Sequence, residues 1–257
     1  MLRIALLVGC LLGQPAFAQT TVSASDLFAS MHLDPAFRQD LRERGYTGAR
    51  FDIMVEHTRE LFTDPVVING LTRHISGSLR QSGYEVTPQM MAQMDTILWQ
   101  SYGVGVSRLT SAERYHIFSV DSGFIRSLPQ RECNRLINGQ ASPERAQSLL
   151  DAYLVRISPD ALSNYHRAER QAMRLGLVQG AAPVALSRSE IRRAEELLLP
   201  AIDTMIGQQP NADALYRAWA APTGGDRYAC TFSKMFSVAT MRLGGRDRDV
   251  AIRYLMQ

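Results

Sequence analysis

The spacing of apolar residues along the chain predicts α-helices almost throughout. Apolar side chains recur at steps of three and four in Ile117, Val120, Phe124 and Leu128, and the same spacing runs from Ile191 to Met205. Alternation of apolar and polar residues, which is typical of strands, never extends beyond a few positions. The pattern therefore predicts an all-α fold, a globular bundle of roughly ten helices joined by short loops.

Helix starts are marked by a capping side chain followed by proline. Five such pairs occur: Asp34-Pro35, Asp64-Pro65, Thr87-Pro88, Ser142-Pro143 and Ser158-Pro159. The side-chain oxygen of the first residue accepts a hydrogen bond from a free first-turn N–H, and proline has no N–H to leave unpaired. Capping boxes at Thr110–Glu113 and Ser187–Glu190 predict two further starts.

Glycine and proline mark where helices end. Three glycines each follow a helical stretch and predict its end: Gly45, Gly83 and Gly139. Pro200 is expected to kink or end the helix that it interrupts. Two glycines within residues 102–108 break the helical pattern, which predicts one helical part over 19–103 and another over 109–257. One continuous helical domain with a flexible elbow is the alternative.

The first eighteen residues have the three parts of a secretory signal peptide. Arg3 supplies the basic start, Ile4–Leu12 the apolar run, and Ala16-Phe17-Ala18 the small-x-small cleavage site. The apolar run is shorter than the roughly 20 residues that a membrane span needs, and no later stretch approaches that length. We therefore expect a mature chain without a transmembrane segment, located in the periplasm or secreted.

Lipid attachment to Cys10 is the alternative processing route. Leu7-Val8-Gly9-Cys10 resembles the site at which bacteria lipidate a cysteine. Cleavage before Cys10 leaves only residues 4–7 as the apolar run, which is shorter than the usual run of about 7–15 residues. Cleavage after Ala18 is therefore favoured.

Two cysteines remain after cleavage at Ala18, namely Cys133 and Cys230. An even number of cysteines in an oxidising compartment predicts one disulfide. It would close the long loop between the two cysteines, which stabilises a fold by about 4–5 kcal/mol. Cys133 shares a helical face with Leu136 and Ile137, so we expect it to point inward.

The charge balance argues against nucleic acid as a partner. The chain has 28 Lys and Arg residues and 25 Asp and Glu residues, so the loss of Arg3 leaves a net charge of +2. Lys234 is the only lysine. Nucleic-acid binding needs a concentrated basic face, and no run of residues provides one.

Motifs for metal binding and hydrolysis are incomplete. Glu113-x-x-His116 places both side chains on one helical face, but a di-iron site needs two such motifs and two further glutamates. The pairs His57-x-x-Glu60 and His166-x-x-Glu169 have the reversed order. Neither His-Glu-x-x-His nor Gly-x-Ser-x-Gly occurs. The sequence thus predicts no metal and no cofactor, and it favours a non-enzymatic protein.

Two places carry the features of a binding surface. Met90, Met91 and Met94 form a dense cluster, which suits either core packing or an adaptable groove for a peptide or helix. Trp219 lies next to a predicted loop, where it serves either as an interface anchor or as a core residue.

We therefore interpret the chain as an exported envelope protein that binds an envelope protein or peptide partner. The alternative is a cell-wall hydrolase with paired carboxylates, because such an enzyme needs only two acids across a cleft. Glu113 and Glu190 are the candidates for this pair, although their capping boxes explain both more simply.

Processing at Ala18 is directly testable. The exported protein is expected to begin at Gln19 and to contain 239 residues, which is what removing residues 1–18 from the 257 leaves. Intact mass and N-terminal sequencing check this prediction. A mass that includes a diacylglycerol on Cys10 would contradict it.

Overall fold

A computed structural model describes residues 31–81, 88–221 and 226–256, so the signal-peptide prediction for residues 1–18 lies outside the described residues. Within these ranges the chain forms α-helices and no strand, which confirms the all-α prediction. None of the described helices combines the length and the apolar character of a membrane-spanning helix. The twelve helices are α1 (Pro35–Glu43), α2 (Gly48–Thr63), α3 (Pro65–Gln81), α4 (Pro88–Val106), α5 (Ser111–Ser127), α6 (Gln130–Ile137), α7 (Pro143–Leu154), α8 (Pro159–Leu177), α9 (Arg188–Gly207), α10 (Ala212–Ala220), α11 (Ala229–Arg242) and α12 (Gly245–Leu255).

The predicted caps account for six of the twelve helix starts. The Oδ1 atom of Asp34 accepts from the N–H of Ala36 at 2.8 Å, and Asp64 caps α3 in the same way. Ser142 and Ser158 accept from the third residue after them, both at 3.2 Å. Both predicted capping boxes are present, before α5 and before α9. Thr87 lies outside the described residues.

Two of the three predicted glycine ends are confirmed, and the third lies outside the described residues. Gly45 and Gly139 have φ angles of +92° and +67°, a left-handed conformation that favours glycine. Pro200 does not end its helix, because α9 continues to Gly207. The buried face of α9 explains this continuity, since packing of Leu198 and Ile202 outweighs the one hydrogen bond that proline removes.

The contacts divide the described chain into two compact units. The N-terminal unit consists of residues 31–81, 88–109 and 151–184, and the C-terminal unit consists of residues 110–150, 185–221 and 226–256. The sequence-based division into 19–103 and 109–257 stays a prediction. The structure adds that 151–184, which contains α8, packs with the helices that precede residue 110.

Helices α4 and α8 of the N-terminal unit pack with their backbones in close contact. A β-carbon on Gly105 would lie 1.7 Å from the carbonyl oxygen of Ala172, and one on Gly176 would lie 1.8 Å from that of Ser101. The two contacts run in opposite chain directions, so the helices are antiparallel. Helix α4 continues through both glycines that predicted a break, and the crossing requires glycine at Gly105.

The core of the N-terminal unit is built around this crossing. Its buried residues come from α2, α3, α4 and α8: Leu61, Phe62, Val67, Leu71, Ile75, Met94, Ile97, Leu98, Met173 and Leu177. A buried ion pair lies elsewhere in the unit, where Arg44 donates to Asp151 through Nε at 2.8 Å and Nη2 at 2.6 Å. The hydroxyl of Tyr46 donates to the same carboxylate at 2.9 Å. These bonds satisfy Asp151, which would otherwise be a costly buried charge.

The C-terminal unit is held by the disulfide and by ion pairs to its last helix. Cys133 of α6 and Cys230 of α11 are both fully buried with Cα atoms 5.5 Å apart, which confirms the predicted pairing. Arg114 of α5 donates to Asp249 of α12 in a bidentate pair. The ammonium of Lys234 donates to the carbonyl oxygen of Leu128 at 2.7 Å.

The α4–α8 crossing gives a matched pair of variants. Gly176→Ala is expected to lower the free energy of unfolding by about 1–3 kcal/mol or more, because the new methyl group meets backbone that cannot move aside. Gly103→Ala in α4 is the control, since a β-carbon there meets nothing within 4 Å. The control is expected to stabilise by up to about 1 kcal/mol through helix propensity.

Chemical denaturation of both variants checks this prediction. Equal stability of Gly176→Ala and the unsubstituted protein would show that the helices do not approach as closely as described.

Candidate functional site

The C-terminal unit exposes an aromatic surface on α10, formed by Tyr216 and Trp219. These side chains are 39% and 41% exposed, and they lie three residues apart, on one side of the helix. Leu215 and Ala218 are buried and fix the adjacent side of α10 to the core. The two aromatic rings therefore lie at the border of the buried face and remain partly exposed.

Both rings of the aromatic surface are held in place. The Trp219 ring contacts Phe232 and Phe236 of α11 at centroid distances of 5.2 and 5.7 Å. The Tyr216 hydroxyl donates to Oδ1 of Asp203 in α9 at 2.9 Å. Trp219 is therefore half-exposed and packed at once, and its role as an interface anchor stays a prediction.

Of the three methionines in the predicted cluster, only Met94 has a side chain that the structure describes. Met94 is fully buried in the core of the N-terminal unit. It therefore packs in the core, which is one of the two roles that the sequence suggested for the methionine cluster. The side chains of Met90 and Met91 lie outside the described ones, so a groove at these residues stays a prediction.

The carboxylates considered for hydrolysis are both used as caps. Glu113 accepts from the N–H of Thr110 at 2.9 Å and from its hydroxyl at 2.7 Å. Glu190 makes the equivalent bonds to Ser187 and also accepts from Arg253 at 2.6 Å. The bonds from Ser187, and then the Arg253 guanidinium, lower the pKa of Glu190 to about 2. A general acid needs a raised pKa, so Glu190 is unsuited to that role.

The N-terminal unit contains a buried histidine cluster, formed by His57 of α2 with His166 and Glu169 of α8. The three residues are 2%, 3% and 5% exposed. The two imidazole rings face each other with centroids 4.3 Å apart and planes tilted by 36°. One nitrogen of each histidine and one oxygen of Glu169 all lie within 4.8 Å of one another, so the group has the donor set of a metal site.

The ring nitrogens of the two histidines differ in their partners. Nδ1 of His166 lies 2.6 Å from Oε2 of Glu169. Nε2 of His166 is buried and has no hydrogen-bond partner among the described residues. Arg170 can only donate, so Nδ1 of His57, 3.1 Å from Nη1, accepts.

Burial keeps His57 neutral. Loss of contact with water, followed by the neighbouring charges of His166 and Arg170, lowers the pKa of His57 well below its usual 6.5. Arg170 is bound on its other side by Glu60, one turn along α2 from His57. The cluster therefore consists of a neutral His57 beside the His166–Glu169 contact, and it is bordered by the ion pair of Arg170 with Glu60.

Sequence reasoning found these residues but did not group them. His57-x-x-Glu60 and His166-x-x-Glu169 both place a histidine and a carboxylate on one helical face, and either order of the two residues achieves this. The repeated His-x-x-Glu spacing was the available signal. The packing of α2 against α8 brings the histidines together, and no local sequence pattern predicts this packing.

Comparison of the chain with known protein families, with curated proteins and with solved structures gives no match.

The capping role of Glu190 predicts a specific pH dependence. Glu190→Gln is expected to lower the free energy of unfolding at pH 7 by about 0.5–1 kcal/mol, a small value because the site is exposed and screened by solvent. The folded pKa of about 2 lies below the unfolded value of 4.5, so the stabilisation is complete above pH 4.5 and lost as the pH falls towards 2.

Urea unfolding at several pH values measures this difference. Glu196→Gln on the same helix is the control, because Glu196 has only a 4.0 Å contact with Arg193. A Glu190→Gln effect that is constant down to pH 2 would contradict the capping role.

Proposed function

We propose that the protein is an exported envelope protein that binds a protein or peptide partner through the aromatic surface of Tyr216 and Trp219. The observation that carries the proposal is that two large aromatic side chains are about 40% exposed and yet held in fixed positions. Tryptophan and tyrosine are the residue types most enriched among those that dominate protein interfaces.

The rigidity of the aromatic surface favours binding. Ordering a flexible side chain at an interface costs about 0.5–1.5 kcal/mol, and rings that are already fixed lose little further freedom. The contacts of Trp219 with Phe232 and Phe236 and the bond from Tyr216 to Asp203 provide this preorganisation. Aromatic rings are mainly apolar surface, so the partner chemistry that fits Tyr216 and Trp219 is an apolar side chain or an apolar peptide segment.

Location in the envelope rests on two further observations. The first eighteen residues have the pattern of a signal peptide, and the Cys133–Cys230 disulfide is of the kind that persists in oxidising compartments. The hydrolase alternative gains no support, because Glu113 and Glu190 are both held as helix caps.

Crosslinking of the exported protein in intact cells tests the proposal. Replacing Tyr216 by a photoreactive amino acid is expected to yield one abundant crosslinked partner. Trp219→Ala is expected to reduce capture of that same partner at least about tenfold, since loss of an interface anchor costs about 2 kcal/mol or more. Circular dichroism confirms that the variant remains folded.

The matched control is an exposed apolar residue of the other unit. Leu33 is 63% exposed, so Leu33→Ala removes apolar surface without touching α10. The control is expected to capture the partner as the unsubstituted protein does. Equal capture by Trp219→Ala and Leu33→Ala, or no specific partner at all, would contradict the proposed binding surface.

A further inference from the structure

We propose that the buried histidine cluster, His57, His166 and Glu169, binds a divalent transition-metal ion of the zinc type. Two imidazoles and a carboxylate form a donor set that zinc uses in proteins, with bonds of about 2.0–2.2 Å. Here all three donors are buried and lie within 4.8 Å of one another. Mixed nitrogen and oxygen donors suit such an ion better than calcium or magnesium, which prefer oxygen alone.

Nε2 of His166 is buried and has no hydrogen-bond partner among the described residues. The other ring nitrogen, Nδ1, lies 2.6 Å from Oε2 of Glu169. Nε2 is therefore the nitrogen of His166 that is open to a metal ion. A buried polar atom without a partner is costly, and a metal ion bound to Nε2 satisfies it. Glu169 becomes the third ligand by exchanging its contact with Nδ1 of His166 for the metal ion.

The three donor atoms must move closer together to bind one metal ion. Donors in a tetrahedral shell lie about 3.4 Å apart when each bond is about 2.1 Å, so the distances between donors must shorten by up to about 1.4 Å from their 4.8 Å limit. The rings now lie face to face at 4.3 Å and must turn so that their lone pairs converge. The torsion that turns an imidazole ring is broad, which allows this change without movement of the helices.

Arg170 contacts the ring nitrogen of His57 that the metal ion would use. Its Nη1 atom occupies the Nδ1 lone pair of His57, while its other terminal nitrogen pairs with Glu60, which is partly exposed. A metal ion takes the place of the Nη1 contact, and Glu60 holds the guanidinium on the outer side. Three protein donors then leave a fourth coordination position for water.

Metal titration of the full chain, without a histidine tag, tests the proposal. After treatment with a chelator, the protein is expected to bind one Co²⁺ or Zn²⁺ per chain, and Co²⁺ is expected to show the absorption of a nitrogen- and oxygen-ligated site. His166→Gln is expected to weaken binding by about 100-fold or more, because even groups outside the first ligand shell account for about 10–100-fold.

The control variant is His74→Gln, since His74 is exposed on α3 of the same unit. It is expected to bind as the unsubstituted protein does. Equal binding by the His166 and His74 variants would overturn the proposal, as would absence of near-stoichiometric binding to the unsubstituted chain.

A second variant keeps the test valid if His166→Gln does not fold. The chain has five histidines, and replacing His32, His74 and His116 together by glutamine leaves only the two in the cluster. This triple variant is expected to retain full affinity, with the ring nitrogen resonances of both remaining histidines shifted by Zn²⁺ in NMR spectra. Loss of binding in the triple variant would assign the metal to other residues and overturn the proposal.

Discussion

At Gly105 and Gly176 the backbones of α4 and α8 approach so closely that neither position has room for a β-carbon. Small residues stand opposite both glycines, namely Ala172 and Ser101. This contact sets the depth at which α8 lies in the N-terminal unit. The position of α8 in turn places Met173 and Leu177 in the core and brings His166 and Glu169 to His57 on α2. The crossing therefore governs both the packing of the unit and the geometry of its buried polar cluster.

Features that depend on neighbouring residues could be predicted from the sequence. The caps at Asp34 and Asp64 and both capping boxes need only a few consecutive side chains, and the structure contains all of them. The all-α class follows from apolar spacing in the same way. The disulfide could be predicted without any knowledge of the fold, because only two cysteines remain after the expected cleavage at Ala18.

Features that depend on distant contacts could not be predicted. The glycines within residues 102–108 have low intrinsic helix propensity, yet α4 runs through both, and only the approach of α8 explains why Gly105 is needed there. Pro200 likewise lies within a continuous helix because the buried face of α9 holds both sides together. The histidine cluster needs α2 and α8 side by side, although over one hundred positions separate His57 from His166. The half-exposed state of Trp219 depends on two rings of α11.

The division of the chain also orders the events of its synthesis. Helices α1–α4 are made first, but their apolar faces remain uncovered until α8 follows, after the whole of residues 110–150. Contacts between segments so far apart in sequence slow folding, and the hydrophobic faces of α1–α4 stay exposed until α8 has been made. Cys133 precedes α8 and Cys230 follows it, so the covalent loop encloses the segment that completes the N-terminal unit. Oxidation of the two cysteines can therefore occur only after every helix of that unit has been made.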